Sequence, residues 1–217
     1  MNKLKEVFNN PKLIHKCLDI TEKQYRQYDP GWYLYDKILR IKNIDEKFTD
    51  EFIELVYVTL SAWNMNSRGA RLSNFESFKN SIKSHKKDIC ELEEFTLIDA
   101  TNNKDQILTI LKRIFYSIEL VDNGKPLLVT FSKAMHFYLP NLIVPIDRKY
   151  TLNFFYGNIN INKKMDLQWK KFVSIFEQMA EFAKELQVDE IKNNRWSKNI
   201  PKIIDNLVIG YVKVKGN

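Results

Sequence analysis

The stretch "LLVTFSKAMHFYL", residues 127–139, is apolar nearly all the way round a helix, and Pro140 stops it, since proline has no N–H and its ring clashes with the preceding turn. A helix with no solvent face has to be enclosed by other elements. Only six glycines and six prolines punctuate the 217 residues, and the long stretches between them repeat their apolar residues at helical spacing. The expected fold is therefore all-α with little or no strand, a single globular helical domain over residues 1–217. Hydrophobic residues make up 44% of the chain, enough apolar material to offset the chain entropy lost on folding.

The individual helices follow from periodicity and capping. Residues 12–28 and 32–42 read as two short helices separated by a turn at Pro30 and Gly31. Thr49 is the expected N-cap of a helix that carries Phe52, Val56, Thr59, Leu60 and Trp63 on one side and runs to about Asn64. Ser73 and Glu76 have the spacing of a capping box before Phe75, Phe78 and Ile82. Further helices are expected over 104–120 and 164–187, and a last one near Pro201 that buries Ile203, Ile204, Leu207 and Val208.

Charge and composition narrow the function class. A net charge of +7 favours a polyanionic partner. No apolar run approaches the roughly 18–20 residues that a membrane span needs, and the start of the chain lacks a signal peptide's apolar middle, so a cytoplasmic protein without a membrane partner is expected. Cys17 and Cys90 are far apart, and His15, His85 and His136 are scattered, so neither a disulfide framework nor a metal site is expected. There is no phosphate-binding glycine loop, no HExxH and no nucleophile elbow, and nothing calls for a cofactor or an obligate protein partner.

Three places hold polar residues that ask for a reason. Within 127–147, Lys133, His136 and Phe137 fall on adjoining parts of one helical face, and Pro140 and Pro145 force a compact return that brings Asp147 towards them. These groups fit either a pocket or a structural ion pair, with Asp147 also able to cap the helix expected from Arg148 and Lys149 onward. In "LSAWNMNSRGARL", Trp63 precedes a loop carrying Asn64, Asn66, Ser67, Arg68 and Arg71, amides and guanidiniums suited to phosphate or to an ordinary interhelical turn. In "KNNRWSKNIPK", Lys192, Arg195, Lys198 and Lys202 are interleaved with Trp196, which suits phosphate contact with base stacking or simple packing of the last helix.

Taken in order, these pieces resemble the helix-hairpin-helix DNA glycosylase superfamily over residues 50–157. An early helix there ends in a Leu-Ser-Ala-Gln-like turn, which "LSAWNMNSRGA" resembles; a lysine then opens a buried helix, and an aspartate follows a short apolar return, as in "SKAMHFYLPNLIVPID". The family's hairpin normally has closely spaced glycines just before the lysine, whereas "VDNGKPLLVTFSK" has Gly124 alone. The resemblance implies a two-lobed helical enzyme with one cleft, acting on DNA to excise a modified base. Asp147 would be the catalytic carboxylate, and Lys133 would stand where members with lyase activity have their nucleophile. Trp63, His136 and Phe137 would form the base pocket, while Asn64, Asn66, Ser67, Arg68 and Arg71, with Arg148, Lys149, Arg195, Trp196 and Lys198, would meet the nucleic acid. The same residues also fit a non-catalytic nucleic-acid-binding protein, or a helical interaction protein with an internal Lys133–Asp147 pair.

Overall fold

The computed structural model describes residues 7, 10–26, 28–66, 71–186 and 197–216. It is all-helical: among the described residues the one strand-like feature is a single antiparallel bridge, Leu72 to Val121. The helices are α1 (Pro11–Glu22), α2 (Pro30–Arg40), α3 (Asp50–Leu60), α4 (Phe75–Ser84), α5 (Lys86–Leu92), α6 (Lys104–Ser117), α7 (Leu128–Tyr138), α8 (Asn153–Tyr156), α9 (Met165–Glu185) and α10 (Ile200–Lys215). None of them is long and apolar enough to cross a membrane.

The apolar stretch found in the sequence is α7, and every one of its residues is buried. Helices α2, α3 and α9 pack directly on it. The first and last described helices, α1 and α10, make the most extensive helix pair in the molecule. Gly210 permits this crossing, because a Cβ there would lie 2.1 Å from the backbone carbonyl oxygen of Cys17.

Five of these ten helices, α1, α2, α3, α4 and α10, start on a side-chain cap. The Thr49 hydroxyl accepts from the Phe52 N–H to start α3, as expected, and Asn199 accepts from Lys202 N to start α10. Three readings change, the first being that α1 ends at Glu22, well short of residue 28. Pro30 and Gly31 open α2 rather than form a free turn, with Asp29 as N-cap accepting from Trp32 N, because proline at the first helical position costs no hydrogen bond. Asn74, not Ser73, caps α4, accepting from Ser77 N, while the Ser73 hydroxyl donates to the Glu119 carbonyl across the bridge.

Helix α3 continues into a π-helical turn, Ser61–Met65, and Asn64 within it has φ 63°, the left-handed region that asparagine tolerates better than most residues. This turn releases the chain from the helix and sets the position of Trp63.

Candidate functional site

The return from α7 is pinned at two points. Ser132 Oγ accepts from the Ile146 N–H at 3.0 Å, and His136 Nδ1 lies 2.6 Å from the Ile143 carbonyl. A carbonyl can only accept, so Nδ1 carries the proton and Nε2 accepts from the Tyr35 hydroxyl 2.6 Å away. These ties, together with Pro140 and Pro145, bring Asp147 back beside Lys133.

Asp147 caps the next turn, a π-helical one over Arg148–Leu152: its Oδ1 accepts from Lys149 N at 2.7 Å and Tyr150 N at 3.2 Å. The other oxygen, Oδ2, stands 3.8 Å from Lys133 Nζ. That gap is an ion pair's distance and longer than a direct hydrogen bond. Lys133 Nζ also reaches the Trp63 carbonyl at 3.4 Å and stands 5.7 Å from the centre of the Trp63 ring. The Lys133 side chain is 8% exposed and that of Asp147 34%, so the pair spans the passage from interior to solvent.

Both residues line a cavity of about 240 Å³, with Tyr25, Asp29, Trp32, Ala62, Trp63, Asn64, Pro145, Tyr150, Lys202, Asp205 and Ile209. This volume is below the roughly 300–1,000 Å³ of pockets for drug-sized ligands and suits one flat ring. The Trp63 indole is fixed by its N–H, which donates to the Gly31 carbonyl at 3.3 Å, and by an edge-on contact with Phe137.

A second acid–amine pair lies in the same wall. Lys202 Nζ is 2.5 Å from Asp205 Oδ2, both side chains are 6% exposed, and the ammonium lies 3.3 Å from the Tyr25 hydroxyl and 5.5 Å from the centre of the Trp63 ring. The two lysines are tuned in opposite directions. Burial lowers the pKa of Lys133, and the carboxylates of Asp147 and Asp205 only partly oppose it. Burial also opposes the charge on Lys202, but Asp205 and the Tyr25 hydroxyl outweigh it and hold the ammonium above the ordinary lysine range. One amine is thus pushed towards its neutral, nucleophilic form while the other stays a fixed cation, the kind of split that assigns different roles to like groups.

Comparison with protein-family models, curated proteins and solved structures finds no match.

Of the residues singled out from sequence, Lys133, Asp147, Trp63 and Asn64 come together in the cleft. Arg148 and Lys149 are exposed beside Asp147, with Arg148 Nε donating to the Ile159 carbonyl and Lys149 Nζ lying 5.4 Å from the centre of the Tyr150 ring. His136 and Phe137 do not line the cleft: both are fully buried behind it, His136 because its two ring nitrogens are spent on Tyr35 and Ile143. Burial pushes the His136 pKa down to about 3, so the ring is neutral. Phe137 and Lys198 instead line a second cavity of about 340 Å³. Asn66 accepts from Leu72 N within the α3–α4 connection, and Arg71 pairs with Asp122 at 3.1 Å, tying that connection to the one between α6 and α7. Ser67, Arg68, Lys192, Arg195 and Trp196 lie outside the described residues.

Tyr25, Trp32 and Tyr150 were not singled out, nor was the pairing of Lys202, read only as one of the basic residues around Trp196, with Asp205. The signal for that pairing was present: a Lys–Asp pair at i, i+3 within "PKIIDNLV", a segment apolar enough to be buried on every side. Among the described residues, no three His, Cys, Asp or Glu side chains assemble as a metal ion would need.

Proposed function

We propose that the chain is a base-excision N-glycosylase that acts on a modified base in DNA and is built as a two-lobed helical enzyme around this cleft. The observation that carries the reading is the convergence of Lys133 and Asp147, fourteen residues apart in sequence, at 3.8 Å in one solvent-reaching cavity beside the Trp63 ring. A base has to leave the stack before its glycosidic bond can be reached, and an aromatic-walled pocket of this size receives such a ring. As the bond from sugar C1′ to the base nitrogen breaks, the electron pair leaves with the base and the sugar becomes positive. Asp147 Oδ2 stabilises that charge and takes the proton of the attacking water. Alternatively, the neutral amine of Lys133 attacks C1′ itself, and the Schiff base that follows permits strand cleavage.

The net charge of +7 and the exposed Arg148 and Lys149 next to Asp147 in the chain favour a nucleic-acid partner. The test is an excision screen on duplexes that each carry one modified base, with borohydride present to trap a lysine adduct. Base release that disappears in Asp147→Asn supports the proposal, and a trapped adduct that is absent with Lys133→Gln adds lyase chemistry. Tight, salt-sensitive binding with no product on any substrate would assign the cleft to a binding protein instead.

A further inference from the structure

Lys202 and Asp205 are unusual wall residues. Each is 5% exposed, and each lines the cavity rather than the bulk of the core. A buried ion pair seldom stabilises a fold more than apolar residues of the same size, so its place on a cavity wall calls for a role towards whatever fills the cavity. An ammonium has three N–H donors. Among the described residues, Lys202 Nζ has two hydrogen-bond partners, Asp205 Oδ2 at 2.5 Å and the Tyr25 hydroxyl at 3.3 Å, which leaves one donor beside the Trp63 ring. Of the carboxylates on the wall, Asp205 uses Oδ2 on Lys202, Asp29 uses Oδ1 on the Trp32 N–H, and Asp147 Oδ2 faces Lys133.

We infer that Lys202 is the specificity-determining residue of the cleft: its remaining ammonium N–H takes a carbonyl oxygen of the bound ring, so the site selects oxo-substituted bases over amino-substituted ones. This rests on the base-excision reading and names its substrate class. An oxo group on uracil or hypoxanthine accepts the donor. The amino group of cytosine or adenine sets N–H against N–H and leaves a buried donor without a partner, a mismatch that polar sites reject strongly.

The experiment is equilibrium binding of the intact chain, read by tryptophan fluorescence, to short single strands identical except for one central base flanked by abasic spacers. Hypoxanthine, unsubstituted purine and adenine form one series, uracil and cytosine another. The expected order is hypoxanthine above purine above adenine, and uracil above cytosine, with at least about tenfold between the extremes. Lys202→Met leaves Asp205 buried without a partner and is expected to fold poorly. The informative variant is therefore Lys202→Met with Asp205→Leu, which removes both charges and is expected to bind all the bases alike. Equal binding by the unsubstituted protein, a preference for adenine, or the original order retained in the double variant would overturn the inference. Selective binding without excision of uracil or hypoxanthine would instead count against the glycosylase reading alone.

Discussion

Because Oδ1 of Asp147 is committed to two backbone N–H groups while Oδ2 faces Lys133, substitutions at this position separate capping from chemistry. Asparagine keeps an accepting oxygen, so Asp147→Asn is expected to melt within about 1 kcal/mol of the unsubstituted protein while base release falls about 100-fold or more. Asp147→Ala loses the cap as well, about 1 kcal/mol further, readable in denaturant titration. Lys133 yields a pH-dependent prediction. Its pKa is lower in the folded chain than the ordinary 10.5, so the unfolded chain binds more protons between the folded value and 10.5. Stability therefore rises with pH across that window, and the burial cost is fully present below it. Lys133→Met should accordingly stabilise the fold most below that window, with the gain shrinking as pH rises towards the ordinary lysine range. A gain that grows with pH would contradict this. Lys133 and Asp147 were legible because charges in an apolar run stand out. The partner that fixes His136, Tyr35, lies 101 residues away, and no local pattern announces it. Tyr35→Phe leaves Nε2 of a buried imidazole without its donor and is expected to cost about 1–3 kcal/mol.

Helix placement followed periodicity closely, because burying one apolar face is what stabilises each helix. The apolar stripes give α3, α6, α7, α9 and α10 to within a few residues, and Thr49 and Asp147 cap where their side chains imply. What periodicity does not carry is how elements end and how closely they approach. The π-helical turn after α3 depends on the left-handed Asn64, and the expected cap at Ser73 is displaced by the bridge that draws its hydroxyl to Glu119. Close approach is set by two glycines. At Gly210 an added Cβ would meet backbone, which cannot swing aside, so Gly210→Ala should force α1 and α10 apart at about 3 kcal/mol or more. Chemical denaturation checks this, and because Tyr25 follows α1 and Lys202 sits on α10, ligand binding should weaken with it. At Gly31 the added Cβ would lie 3.0 Å from Trp63 Cδ1 and 3.1 Å from Asp29 Oδ1, side-chain rather than backbone atoms, so Gly31→Ala should press the indole out of its fixed position and alter base binding more than stability.

At the scale of the whole molecule, the cleft is assembled from distant parts of the chain. Tyr25, Asp29 and Trp32 come from the α1–α2 region, Trp63 from the end of α3, Lys133 from α7, Asp147 from the return after it, and Lys202 and Asp205 from α10. The all-α class was legible from glycine and proline usage and from one fully apolar helix, whereas the far wall of the cleft was not. Its residues come from the two ends of the chain, and α10 reaches the rest through its crossing with α1 and its contacts with the Arg148–Leu152 turn, α8 and α9, none of which a local pattern announces. If single-stranded DNA enters along the Asp147 side, replacing Arg148 and Lys149 with alanine should lower the slope of log affinity against log salt by about 0.7 for each phosphate that is no longer neutralised. The deciding experiment is borohydride trapping and base release on duplexes carrying a single uracil or hypoxanthine, run beside Lys133→Gln and Asp147→Asn. Catalysis by Asp147 requires release of the base by the unsubstituted chain and its loss in Asp147→Asn with the fold intact. Release that survives in Asp147→Asn would contradict it.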